Sequence, residues 1–445
     1  MNLFSIEFAV SFFIFWLFYY FFNSNIKAQK WLILGFSYLF LGLAGLKFLI
    51  INIIFSLIIY KFAKKIYDTN SSSSLFLGIV FVVLTLAFFK YNGFFELNFG
   101  TIKFENIALP LGVSFYSFMS IILLVDSYNQ EIDKPNLLDT LLFLSFFAVI
   151  ISGPILKPKP FFEKLNSKKE FSEESKIFTL LTLAIIKKLL IANHLFDIIN
   201  PIFQAPNSLA TSELIATLFG YSIMLYCDFS GYVDFVLALG LMCGFNLPTN
   251  FNRPFAALNL KEFWQNWHIS LMNFFKNYIY IPLGGSRGGT LLTQINVLIV
   301  FFISGIWHGA GINFLIWGLM HGLGVIFLNL TKELDLLVFD CLKRFFTFVF
   351  VSFIWIFFVT DFIGMLRFLK AISTNLEGDR LNIIAVFAIA FLFTFIYSKI
   401  NLKSLLFTFF QKINLFFSTI FLAIFGLIVY FLMPSGMPNF IYQGF

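Results

Sequence analysis

The sequence predicts an all-α polytopic membrane protein, and three observations predict it. Of its residues, 59% are hydrophobic and only 12% charged, whereas soluble domains run at about 45–50% and about 25%. The mean hydropathy is +0.89. Apolar runs close to the roughly 20-residue length of a spanning helix recur along the whole chain, separated by short polar stretches. These runs imply roughly ten to twelve transmembrane helices with re-entrant or interfacial segments between them.

Taken in order, residues 5–22 form the first run. Lys27 and Lys30 follow it rather than precede it, and no small-residue cleavage site closes it, so it reads as a retained helix and not a signal peptide. Further lysines gather in short loops, at Lys61, Lys64 and Lys65 and in the long polar stretch "LKPKPFFEKLNSKKEFSEESK" at 156–176. Their distribution explains the net charge of +7 as positive-inside anchoring rather than a nucleic-acid surface. Placing both lysine groups on one side requires the segment 138–155, ending in "SGPI", to dip into the membrane and return. Such backbone is tolerated only where protein or a watery cavity surrounds it. Cys227, Cys243 and Cys341 lie in or beside apolar segments without CxxC spacing. They read as buried thiols, with neither a disulfide framework nor a metal site. The 69 phenylalanines, with abundant Ile, Asn and Lys, fit an AT-rich, bacterial genome.

Three segments carry residues that can do chemistry. In "SGIWHGAGINFLIWGLMHG" at 304–322, small residues surround Trp307 and His308, so backbones can approach closely around the ring. An apolar site disfavours the charged imidazolium, and a neutral imidazole can accept a hydroxyl proton. His308 is therefore a general-base candidate, and the residues alone leave a helix-packing histidine equally open. His321, on the same face as Trp317 and Gly324, reads as packing. In "KEFWQNWHISLMNFFKNYIYIPLGGSR" at 261–287, Trp264, Trp267, His268, Leu271, Met272 and Phe275 fall on one stripe at helical spacing. His268 then sits on the apolar side of an amphipathic interfacial helix. In the turn-rich tail, Arg287 is a candidate contact to lipid phosphate or to a phosphorylated substrate.

The third segment, "YSIMLYCDFSGYVDF" at 221–235, places Asp228 and Asp234 with Tyr226, Ser230 and Tyr232 inside an apolar run. Intramembrane carboxylates face a cavity or a partner, so these residues read either as a hydrogen-bonded knot at a cavity edge or as a proton or ion relay. His194, in "KKLLIANHLFD", reads as a surface or packing residue near a helix end. A transporter moving solute or protons past these groups is a competing class, though no 20–50-residue repeat or similarity between halves supports it. No GxSxG, HExxH, P-loop or supported GxGxxG motif occurs, so hydrolase, zinc-protease and nucleotide-binding readings lack a basis.

Seven motifs in order, "LPLGVSFYSF" at 109–118, "SGPILK" at 152–157, "YCDFSGYVDF" at 226–235, "GFNLPTNFNRPF" at 244–255, "FWQNWHISL" at 263–271, "YIPLGGSR" at 280–287 and "SGIWHG" at 304–309, resemble the membrane-bound O-acyltransferase family. Within it, they resemble the bacterial branch that includes alginate O-acetyltransferase and the peptidoglycan O-acetylation membrane protein. The resemblance implies one membrane domain over 1–445, with core motifs in 109–330 and C-terminal helices in 343–433, arranged as a helical ring around a central tunnel. It implies His308 as the active-site histidine and His268 as the second, with Trp307, Asn313, Asp228, Tyr226, Ser230, Trp264, Arg287 and Tyr278 as candidates to line the substrate path. Asn313 and the backbone amides of "GGSR" at 284–287 are candidate donors to the oxyanion.

It further implies acetyl-CoA as acyl donor with no metal, and a location in the bacterial cytoplasmic (inner) membrane among membrane lipids. The expected acceptor is a cell-envelope polysaccharide, peptidoglycan first, reached through a periplasmic SGNH-type O-acetyltransferase. Alginate or another exopolysaccharide, or D-alanyl transfer to teichoic acid, are the alternatives. Three positions depart from the branch: Lys276 and Asn277 stand where Arg-Asp is usual, Val359 stands where an arginine follows "WxFF", and the chain ends "FIYQGF" instead of "FIYFQF".

Overall fold

The structure, a computed structural model, describes residues 3–99, 109–331, 339–376 and 379–434, with side chains omitted over 92–99. The "FIYQGF" ending lies outside the described residues. Helices make up the described secondary structure apart from one isolated bridge between Phe251 and Trp267. Eight described helices are long and apolar enough to cross a membrane, and two shorter apolar helices, Ile6–Phe21 and Val113–Tyr128, accompany them. The protein is thus a multi-pass helical membrane protein.

The chain divides into two compact units. Unit 1, Met1–Ile177 with Phe235–Pro248, holds α1 (Ile6–Phe21), α2 (Ile26–Ala44), α3 (Leu46–Thr69), α4 (Ser72–Phe99), α5 (Val113–Tyr128), α6 (Leu137–Ser145) and α7 (Pro158–Leu165). Phenylalanines build its core: the Phe15 ring lies 4.5 Å from Phe36, which in turn lies 4.9 Å from Phe147. Helix α6 starts where the Asn136 side chain accepts from the Asp139 backbone N–H at 2.9 Å, an N-cap interaction. The Asp139 carboxylate also meets Lys30 at 2.6 Å.

At nine residues, α6 is too short to span. The chain then continues as buried turns through Ile151. Protein groups satisfy the end of α6 and the non-helical backbone after it, as buried polar atoms require: Asn52 Nδ2 donates to Leu144 O in the last turn of α6 at 3.2 Å, and Phe147 N donates to Ser37 Oγ at 3.1 Å.

Unit 2, Phe178–Asp234 with Thr249–Ile441, carries the candidate chemistry. Helix α8 (Glu174–Ala184) runs into a π-helical segment, Ile185–Ala192, and then α9 (Asn193–Gln204). The long α10 (Thr211–Met242) follows, then α11 (Leu260–Asn266), α12 (Ile269–Phe275) and a second π-helical turn, Lys276–Tyr280. Helices α13 (Gly289–His308) and α14 (Ile312–Leu330) form a hairpin. The chain continues through α15 (Asp340–Ile354), α16 (Ile356–Val359), α17 (Phe362–Thr374), α18 (Arg380–Lys399), α19 (Leu402–Lys412) and α20 (Leu415–Leu432). Cys227 and Cys243 are buried and Cys341 is partly so, and all three are free thiols.

Candidate active site

The hairpin of α13 and α14 is built on small residues. A Cβ on Gly305 would lie 2.5 Å from Phe314 O, and one on Gly318 would lie 2.3 Å from Phe301 O. Only glycine allows this approach of one backbone to the other. The contact sets the C-terminal end of α13, where His308 is 4% exposed. The rings around it include Trp307 at 4.7 Å, Trp317 of α14 at 4.9 Å and Phe358 of α16 at 5.0 Å. Trp355, wholly buried, stacks on Trp317 at 5.8 Å and reaches Trp267 at 5.4 Å. The two histidine-bearing segments therefore share one aromatic wall, and Trp355 and Phe358 of the "WxFF" motif belong to it although neither is among the sequence-predicted site residues.

The expected continuous helix over Trp264, Trp267, His268, Leu271, Met272 and Phe275 is corrected. It breaks into α11 and α12 at Trp267–His268, with His268 left-handed at φ 47° and ψ 51°. The cause is a tertiary capture of the backbone. Asn252 N donates to Asn266 O at 3.1 Å, Ile269 N to Asn250 O at 3.0 Å, and Ser270 N to Asn250 Oδ1 at 3.0 Å. These bonds outweigh helical periodicity and hold a non-glycine residue in a conformation that costs about 1–3 kcal/mol and clusters at functional sites. His268 is 2% exposed, and its ring lies 4.9 Å from Phe229 on α10.

Beside Phe229, the carboxylates of α10 are ion-paired. Asp234 meets Lys187 at 2.7 Å and Asp228 meets Lys188, both lysines coming from the π-helical segment. Gly231 lies midway between the two aspartates, where a Cβ would sit 2.8 Å from Lys188 N. The D-x-x-G-x-x-D spacing thus presents one smooth face that lets the π-helical segment come close and seats one lysine on each side. This arrangement favours the knot reading of Asp228 and Asp234. Consecutive lysines in an apolar helix, three-residue spacing around a glycine, and two aspartates were the legible signal for it. Lys187 Nζ also lies 5.4 Å from the Tyr226 ring centroid.

Other sequence candidates fall as follows. Tyr226 packs edge-on to Phe251 and Phe255 at 5.8 and 5.4 Å. Ser230 is buried, and its Oγ has no hydrogen-bond partner among the described residues. Trp264 meets Trp317 at 5.7 Å and His321 at 4.9 Å. Tyr278 stacks on Phe274 at 5.1 Å. Arg287 is exposed on the 281–288 turn. Asn313 is corrected as an oxyanion donor: its amide nitrogen donates to Phe357 O at 2.9 Å and Thr360 O at 3.1 Å, which uses both of its hydrogens to tie α14 to the end of α16. His194 is exposed, with Nδ1 2.6 Å from Leu190 O. His321 is wholly buried among aromatic rings, and neither ring nitrogen has a hydrogen-bond partner among the described residues. Among the described residues no cluster of His, Cys, Asp or Glu could hold a metal ion.

Residues 33–365 match the membrane-bound O-acyltransferase family. The chain belongs to that family. It is accordingly an acyltransferase, and the aromatic-walled histidine at the end of α13 lies within the matched span. The chain is 33% identical to the peptidoglycan O-acetyltransferase of Helicobacter pylori, over 74% of this chain and 70% of that protein. It is 34% identical to a probable alginate O-acetylase of Pseudomonas aeruginosa, over 54% of this chain and 48% of that one. A teichoic acid D-alanyltransferase of Bacillus subtilis matches at 28% over 46% of this chain and 55% of its own length. The chain therefore spans about half the length of the alginate and teichoic acid relatives.

Proposed function

We propose that this membrane acyltransferase takes acetyl groups from acetyl-CoA on the cytoplasmic side and delivers them for O-acetylation of a cell-envelope polysaccharide, with peptidoglycan as the acceptor. The observation that carries the reading is His308, buried at a helix end among Trp307, Trp317 and Phe358 inside the family-matched span. A desolvated imidazole there accepts the proton of an acceptor hydroxyl as its oxygen attacks the thioester carbonyl. The C–O bond forms, the C–S bond breaks, and the departing thiolate takes the proton back as free coenzyme A. The thioester already holds an activated acyl group, so the protein's contribution is to orient both partners and exclude water. His268, held left-handed on the same aromatic wall, is the second candidate catalytic residue.

Peptidoglycan is preferred because the Helicobacter pylori peptidoglycan O-acetyltransferase matches a larger share of this chain than the alginate relatives do. Delivery passes through a periplasmic SGNH-type O-acetyltransferase, and the site of action is the bacterial inner membrane. The test is mass spectrometry of muropeptides from a deletion strain, together with acetyl-CoA turnover by the purified protein. Loss of O-acetyl groups supports the reading. Unchanged muropeptides remove peptidoglycan as acceptor, and an absence of acetyl-CoA turnover removes the donor. The teichoic acid relative supplies a second reading, D-alanyl transfer, which a neighbouring gene for a D-alanine carrier protein in place of an SGNH-type transferase would favour.

A further inference from the structure

An acyl transfer needs a hydrogen-bond donor for the oxyanion, and the groups that the sequence offers for it are largely engaged elsewhere. Asn313 spends both amide hydrogens on Phe357 O and Thr360 O. Within "GGSR", the backbone amides of Gly284, Gly285 and Arg287 donate to the carbonyls of Ile281, Tyr280 and Gly284. The aromatic wall of unit 2 has donors to spare. The indole N–H groups of Trp264, Trp317 and Trp355 are all buried, and none has a hydrogen-bond partner among the described residues. An indole nitrogen can only donate, and a buried donor left unsatisfied is costly. Of these three rings, Trp317 is the one in contact with His308, at 4.9 Å and nearly perpendicular to it.

We propose that the Trp317 indole N–H donates to the thioester carbonyl oxygen and to the oxyanion it becomes, which makes Trp317 a further catalytic residue. This rests on the acetyl-transfer reading, with His308 as the base. The chemistry sets where such a donor stands. A hydroxyl held about 2.6–3.2 Å from an imidazole nitrogen attacks a carbonyl carbon about 3–3.5 Å further on, and the oxyanion needs a donor about 2.7–3.1 Å away. The donor therefore belongs to a group next to the base, as Trp317 is next to His308. As the hydroxyl oxygen bonds to the carbonyl carbon, the C=O electron pair moves onto oxygen, and Trp317 hydrogen-bonds that charge while keeping its own proton. The pair returns to the carbonyl as the C–S bond breaks. The ring is fixed before substrate arrives. Trp355 stacks on it at 5.8 Å, Gly318 beside it lets α14 close on α13, and Asn313 one turn earlier ties α14 to α16. A fixed donor in water-excluded surroundings favours developing charge without reorganising.

The test exchanges a single group. In the purified full chain, amber suppression replaces Trp317 with β-(3-benzothienyl)alanine, which keeps the bicyclic shape and carries sulfur where the indole carries N–H. Acetyl-CoA turnover should fall by about 100-fold in kcat, the low end for a lost oxyanion donor, with KM and melting temperature close to the parent's. Trp317→Phe also lacks the N–H and should lose at least as much kcat. A packing role predicts a different pattern, in which the isostere is active and only the phenylalanine variant suffers. Parent-like kcat in the isostere therefore overturns the proposal, and so does a loss confined to KM or to the melting temperature. Should the isostere fail to fold, Trp317→Phe decides alone, and parent-like kcat in it overturns the proposal. His308→Asn separates the two readings. If that variant stays active, the base assignment fails; if it is inactive while the isostere turns over normally, the Trp317 assignment fails alone.

Discussion

Two regions of unit 2 bury ionisable groups in an apolar setting and treat them in opposite ways. On α10, Asp228 and Asp234 are each matched by a lysine, with Gly231 opening the space that lets the charges meet. At the end of α13, His308 is packed among indole and phenyl rings. Matched buried charges hold two helices in one register, and removing either partner strands the other. A ring-packed imidazole can change protonation during a reaction without dismantling a charge pair. On the proposed function, the difference means that the carboxylates, the costlier groups to bury, serve architecture here, while His308 is the group proposed for the chemistry.

The largest expected effect breaks the comparison at its chemical end. His308→Asn should lower acetyl transfer by about 100-fold or more, the scale of a lost general base, with the melting temperature in detergent little changed. A variant that kept full activity would falsify the role assigned to His308. At the architectural end, Lys188→Met leaves Asp228 buried without its lysine and should cost about 3–5 kcal/mol, read as a large drop in melting temperature. The Lys188→Met, Asp228→Leu double variant should recover most of that drop, and if it does not, the pair is not the source of the loss. Gly231→Ala pushes a methyl group towards Lys188 N and should destabilise by about 1–3 kcal/mol. Thermal unfolding beside the parent chain checks it, and an unchanged midpoint would mean that the close approach is dispensable.

A smaller effect is expected at His321, whose nitrogens have no hydrogen-bond partner among the described residues. His321→Phe keeps a ring in the aromatic cluster and removes unsatisfied polar atoms, so stability should hold or rise, with transfer activity close to the parent's. A large activity loss at unchanged stability would move His321 from packing into the chemistry.

The smallest effect extends the contrast to unit 1. Lys169, in the loop after α7, donates to the carbonyls of Leu165 and Ser167. Burial, with Lys164 and Lys30 adding repulsion, pushes its ammonium from 10.5 down to about 8. A base held below its unfolded value penalises the folded state once it is charged, so the penalty is full below about 8 and fades as pH rises towards 10.5. Lys169→Met should therefore raise the melting temperature at pH 7 relative to the parent chain and lose that gain at pH 10.5. A pH-independent difference would contradict the assignment.

The membrane class, the helical architecture and the family were legible in the sequence, because each rests on local properties: run length, hydropathy and ordered motifs. The close helix approach at "SGIWHG" was legible for the same reason, since small residues around a histidine state in advance that backbones will meet there. Only the tertiary structure decided the rest. The break at Trp267–His268 depends on Asn250 and Asn252 capturing peptide groups that helical periodicity would have kept within one helix. The partners of Asp228 and Asp234 lie some forty residues earlier, and Asn313 turned out to be occupied by carbonyls more than forty residues later. Sequence spacing determines which groups share a helix face. Which distant group meets that face is set by how the helices pack, and packing free energy is summed over the whole unit.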